Sequence, residues 1–106
     1  MNDNKVYYYK TRDGKAVFSF SYLHEFGYYT ILIHSHPSYN GRDEASTIAH
    51  WLSHPSSPID RKICFTAGKE PKSLEQAKNI SMQYAELTWC YIRTGETIDS
   101  QIIRNN

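Results

Sequence analysis

Histidine is the residue type whose spacing most suggests chemistry in this chain of 106 residues. Four of its five histidines lie between His34 and His54. His34 and His36 are separated by one residue in a segment that alternates like a β-strand, so both side chains would lie on one face. His50 and His54 are four residues apart in a segment with helical spacing, which also places them on one face. The spacing therefore supplies imidazoles in pairs.

A zinc site is the chemistry that such pairs would permit, because zinc takes neutral imidazole nitrogens in a tetrahedral set. The predicted metal ligands are His34, His36 and His50. Further ligands stand nearby in the sequence: Asp43, Glu44 and Cys64. A zinc ion with one open position would activate water, with a neighbouring carboxylate as general base. Under this interpretation the chain is a metal-binding protein or a metal-dependent hydrolase.

The histidine segment matches no metal motif in full. The residues His34-Ser35-His36-Pro37 are similar to the His-x-His-Pro core of JAMM metalloproteases, but Thr47 stands where that family has an aspartate. His54 precedes Pro55, and the residue before a proline is driven out of the α-helical region. Metal binding is therefore the alternative interpretation, and the main one involves no cofactor.

Residues typical of protein interfaces occupy the same part of the chain. Tyrosine, tryptophan and arginine contribute most of the binding energy at interfaces. The candidate binding residues are Tyr39, Arg42, Asp43 and Trp51. No catalytic residue is assigned, since the chain has neither a GxSxG elbow nor a glycine-rich phosphate loop. The main hypothesis is a small non-enzymatic protein-interaction domain, such as an inhibitor, an immunity-type protein or a regulatory adaptor.

Tyrosine is the other residue type in excess, with nine in the chain. Where tyrosines are adjacent in a strand, as in Tyr7-Tyr8-Tyr9, at least one ring must face away from the core. Exposed rings could stack on single-stranded bases, with Tyr7, Tyr9 and the aromatic residues of the second strand as candidates, or could contact a protein. Twelve basic and 11 acidic residues give a net charge of +1, which provides no strong field for a polyanion. Another protein is therefore the favoured partner, and nucleic acid is the second alternative.

The first elements that must position these residues are strands. Residues 6–10, 16–22 and 28–36 alternate or are rich in aromatic and β-branched side chains, as strands are. Asp13-Gly14 is typical of a hairpin turn, and Phe26-Gly27 marks the next turn. Connections this short predict an antiparallel meander.

Helical spacing follows, over residues 43–53, and then a fourth strand over 61–66. The clearest element is the last: Ser73 and Gln76 form a capping-box pair, and Gly95 stands where a helix C-cap is expected. An apolar stripe runs between them through Ala77, Ile80, Tyr84, Leu87 and Tyr91, widened by Leu74, Ala85 and Ile92. We predict one α+β domain over 1–106, with an antiparallel sheet of about four strands (β-β-β-α-β-α) against the long C-terminal helix.

Composition sets the remaining expectations. Hydrophobic residues make up 40% of the chain and charged residues 22%, as in folded globular proteins. No signal-type segment and no apolar run near ~20 residues is present, which predicts a cytoplasmic protein without a membrane contact. Cys64 and Cys90 lie in no metal-binding spacing, so both are interpreted as buried free thiols, with one disulfide between them as the alternative.

Overall fold

The computed structural model describes residues 5–54, 57–63, 65 and 68–104. Its strands are β1 Tyr7–Lys10, β2 Val17–Glu25, β3 Tyr28–Ser35, β4 Trp51–His54 and β5 Ser57–Ile63. Its helices are α1 Ser46–Ala49, α2 Leu74–Thr94 and α3 Ile98–Arg104. The strands form one sheet in the order β1-β2-β3-β5-β4, with every neighbouring pair antiparallel. The predicted α+β class, with an antiparallel sheet and a long C-terminal helix, is confirmed.

The meander of β1 to β3 follows from the alternation that predicted it. On β2, Phe18, Phe20 and Tyr22 are at most 3% exposed and face α2. The β2–β3 hairpin turns through Phe26 and Gly27, with φ of 55° and 80°. A two-residue loop with both φ values positive matches the twist of paired strands, which explains the glycine at the second position.

The segment after the third strand differs from the prediction of one helix over 43–53. Helix α1 has four residues, and His50, with φ of 58°, separates it from β4. The helical spacing was too short to stabilise a helix alone. Pairing of Trp51 with Ile63 instead adds an edge strand next to β5, so the sheet has five strands. Strand β5 also begins earlier than the predicted 61–66, and residues 64 and 66 of that prediction lie outside the described residues.

Helix α2 has both predicted caps. Ser73 Oγ accepts the Gln76 amide at 3.1 Å, and the Gln76 side chain accepts the Lys72 amide at 2.9 Å. Gly95 has a left-handed φ of 84°, and its amide donates to Tyr91 O. The buried face of the helix consists of Ala77, Ser81, Tyr84, Ala85, Thr88, Tyr91 and Ile92. Ser81 and Thr88 belong to it although the apolar stripe did not include them.

The core has two parts. The larger lies between the sheet and α2, and the smaller surrounds Tyr39, Ala49, Tyr91 and Ile92. The C-terminal segment docks as α3 through the buried Ile98 and Gln101. None of the described helices is long and apolar enough to cross a membrane.

Candidate functional site

His34 and His36 belong to separate hydrogen-bond sets. A bulge between Ser19 and Phe20 in the β2–β3 pairing skips His34, whose Nε2 lies 2.7 Å from Ser21 Oγ. His36 follows the end of β3; its Nδ1 donates to Pro37 O at 2.8 Å, and its Nε2 accepts from Arg61 at 3.1 Å. The bulge breaks the alternation on which the pairing of the two histidines depended.

His50 lies elsewhere and bonds to the tail of the chain. Its Nε2 is 2.8 Å from Asp99 Oδ1, in the first turn of α3. His54 is in a strand, so the predicted helical pair with His50 does not form. Within the residues that the structure describes, no three His, Cys, Asp or Glu side chains are arranged to hold a metal ion. The prediction for Cys64 lies outside the described residues, whereas Cys90 is half-buried with a free thiol.

The loop before α1 packs against the end of α2. Tyr39 is 3% exposed, so its ring is part of the core. Burial raises the pKa of its hydroxyl. Arg42 Nε donates to Ile92 O at 3.3 Å, and Tyr91 donates to Asp43 O at 2.9 Å. These contacts hold the loop in place.

Trp51 is held in the same way. Its indole N–H donates to Glu44 O at 2.8 Å, and the Arg61 guanidinium lies 4.0 Å from the centre of the ring. Arg61 also donates to the Glu44 carboxylate at 3.2 Å. Tyr39, Arg42, Asp43 and Trp51 thus have structural contacts, and their binding role stays a prediction.

Strand β1 forms one edge of the sheet. Among the described residues it pairs with β2 alone. Thr11 N–H donates to Ala16 O, so the alternation of an antiparallel ladder makes Tyr9–Phe18 the next hydrogen-bonded pair. It follows that the backbone N–H and C=O of Tyr8 and Lys10 point away from β2, to the free edge.

The three adjacent tyrosines of this strand differ in orientation. Tyr9 donates to Glu86 of α2, and burial together with that carboxylate raises the pKa of its hydroxyl. Tyr7 contacts Tyr22 of the core, with ring centres 5.4 Å apart. Tyr8 is 76% exposed. The expectation of one outward ring is confirmed, but Tyr7 and Tyr9, the rings predicted to stack on bases, face the helix.

A cavity of about 160 Å³ lies beside this edge, and we call it the edge cavity. It is lined by Tyr7, Tyr8, Tyr9, Phe20, Tyr22, Lys78, Ser81 and Met82. Lys78 Nζ lies 4.3 Å from the centre of the Tyr7 ring. The alternation of β1 in the sequence predicts an exposed tyrosine. It does not predict the edge cavity, because that cavity is also lined by side chains of α2.

Comparison of the chain with protein-family models, with curated proteins and with solved structures finds no match. The function is therefore inferred from the geometry of the chain's own residues.

Proposed function

We propose that this chain is a non-enzymatic protein-interaction domain that binds an extended, acidic segment of a partner protein along β1. The observation that supports this most is the free edge of β1 beside the edge cavity. An inhibitor, an immunity-type protein and a regulatory adaptor are all domains that could work in this way. The proposed contact lies at β1 and not at the loop over 37–54.

Backbone hydrogen bonding supports the extended form of the partner. Tyr8 and Lys10 each direct one donor and one acceptor to the edge, which is the pattern that strand addition uses. Main-chain bonds provide affinity in this mode, and pockets for alternate side chains provide specificity. A side chain on the helix side of the added strand would enter the edge cavity. Met82, 39% exposed at its border, is flexible enough to adapt to that side chain.

The charges near the edge support an acidic partner. Lys10 and Arg12 are exposed at the end of β1, and Lys78 lines the edge cavity. Glu86 accepts from the Tyr9 hydroxyl and from the Arg12 amide, and its carboxylate lies 4.0 Å from Arg12 Nε. Complementary charge increases the rate of association and excludes partners of the wrong sign.

A proline substitution tests the proposed edge directly. Tyr8→Pro removes a backbone donor that points outward, so the β1–β2 ladder is retained, as edge strands allow. The probes are short peptides in which aspartate or glutamate alternates with leucine, valine or phenylalanine. A matched set carries lysine at the acidic positions. Binding is measured by titration of amide chemical shifts.

The acidic peptides should bind saturably, with shifts concentrated at Tyr8, Lys10 and Met82. Tyr8→Pro should weaken binding at least about tenfold, the value of one or two hydrogen bonds. Phe26→Asn, which alters an exposed ring at the distant β2–β3 turn, should leave binding unchanged. Equal binding of the lysine set, or unchanged binding by Tyr8→Pro, would contradict the proposal.

A further inference from the structure

A second cavity, of about 210 Å³, lies on the opposite side of α2, and we call it the α3 cavity. Its apolar walls include Leu87 of α2 together with Ile98 and Ile102 of α3. Two aromatic rings, those of Phe65 and Tyr84, also line it. An apolar cavity of about 150 Å³ is large enough for benzene, so this one can accept a slightly larger ring system.

His50 supplies an aromatic hydrogen-bonding group to the α3 cavity, and Gln83 adds a side-chain amide to its wall. It adopts a left-handed φ of 58°, which is uncommon for a residue other than glycine. The turn is held on both sides, because Tyr84 donates to Ala49 O at 2.8 Å and Trp51 forms β4. Strained residues at cavities are often functional, and here the strain places an imidazole in the cavity wall.

The bond to Asp99 determines which nitrogen of His50 can serve a ligand. A carboxylate only accepts, so Nε2 carries the proton and the neutral ring keeps its lone pair on Nδ1. Among the described residues Nδ1 has no hydrogen-bond partner. The α3 cavity therefore offers an imidazole acceptor at His50 in a mostly apolar wall, which also includes the polar side chain of Gln83.

The charge of Asp99 narrows the class of ligand. Its side chain is 62% exposed and lies beside His50, where it repels an anionic ligand. The apolar walls oppose any charged group through the cost of desolvation. Aromatic side chains in the wall favour an aromatic ring in edge or offset contact.

From these constraints we propose that the α3 cavity binds a small, neutral aromatic molecule that carries one N–H or O–H donor. The ring packs against Phe65 and Tyr84, and the donor bonds to His50 Nδ1. This site is separate from β1, and its occupation does not depend on the function proposed above.

Indole and 1-methylindole test the proposal, because the methyl group removes the donor while the ring is kept. Both are titrated into the protein and followed by amide chemical shifts. Indole should bind saturably, with shifts at Leu87, Ile98 and Ile102. Methylation should weaken binding about tenfold, as expected for the loss of one hydrogen bond. Equal affinities, or shifts located elsewhere, would overturn the proposal.

Two neighbouring isoleucines provide matched variants for the same titration. Ile102 lines the α3 cavity and is 45% exposed, whereas Ile103 is 75% exposed and does not line it. Ile102→Trp should fill the cavity and abolish indole binding, and Ile103→Trp should leave it unchanged. Tyr8→Pro should also bind indole normally, which separates this test from that of β1. Retained binding by Ile102→Trp would refute the assignment.

Discussion

Helix α2 separates two cavities whose polar groups are arranged in different ways. The edge cavity is lined by Lys78 and lies beside a strand that, among the described residues, pairs on one side alone. The α3 cavity has mostly apolar walls with Gln83 and one imidazole, whose Nε2 is bonded to a carboxylate. Repeated backbone groups suit a polymer, whereas isolated polar groups in a mostly apolar wall suit a small molecule. The two cavities are similar in volume, so their polar groups are what distinguishes them.

The largest expected effect concerns the small core cluster that contains Tyr39. Tyr39 packs against Tyr91 and contributes to the small core cluster. Tyr39→Ala should lower the free energy of unfolding by about 3–5 kcal/mol, as truncation of a buried aromatic ring does. Urea unfolding measures this loss. If the free energy of unfolding falls by less than about 1 kcal/mol and peptide binding is lost, Tyr39 is a binding residue and not a core residue. That result would contradict the assignment of peptide binding to β1.

The next effect tests the orientation of the β1 backbone. The free energy of unfolding is compared between Tyr8→Pro and Tyr8→Thr, and between Tyr9→Pro and Tyr9→Thr. Both variants of each pair lack the tyrosine ring, so their difference reports the effect of proline on the backbone. At position 9 proline should cost about 2 kcal/mol more than threonine, because a ladder bond is lost. At position 8 the difference should stay below about 1 kcal/mol. The reverse order would place the Tyr9 backbone at the edge.

A smaller effect is expected at the left-handed residue of the α3 cavity. His50→Ala and His50→Gly both remove the bond to Asp99, but only alanine keeps a Cβ. The alanine variant should be less stable by about 1 kcal/mol, since a left-handed φ strains a residue with a side chain. Thermal unfolding of the two variants measures the difference. Equal stability of the two variants would mean that the backbone at position 50 leaves the left-handed conformation without loss of stability.

The smallest effect is a pH dependence on the β1 side of the helix. Asp13 accepts from Trp89 Nε1, from Thr11 Oγ1 and from the Lys15 amide, and these bonds lower its pKa to about 2. A carboxyl with a depressed folded-state pKa stabilises the fold above its unfolded value of about 3.9. That stabilisation is lost as pH falls towards about 2. Asp13→Asn should therefore flatten the decline of the melting temperature between these pH values.

The elements predicted best are those whose signals are local. The caps of α2 lie within a few residues of the helix ends, and the alternation of β2 is contained in one segment. The prediction of one helix over 43–53 was wrong because part of the segment pairs with a strand further along the chain. Trp51 pairs with Ile63 across a hairpin. A local pattern contains no information about that pairing.

The candidate sites depend still more on distant contacts. One inserted residue in the β2–β3 register separated His34 from His36. His50 meets Asp99 49 positions along the chain, which no spacing rule predicts. The exposure of Tyr8 followed from alternation, but its place at an edge followed from the order of all five strands.

The docking of α3 has a consequence for motion. A helix of seven residues has little stability of its own, so α3 is held by Ile98, by Gln101 and by the bond between His50 and Asp99. A segment with few buried contacts unfolds locally at a lower free energy than the whole domain unfolds. Since Ile98 and Ile102 form part of the wall, each opening of α3 also removes part of the α3 cavity. Hydrogen exchange of the α3 amides would then report how often the cavity is lost.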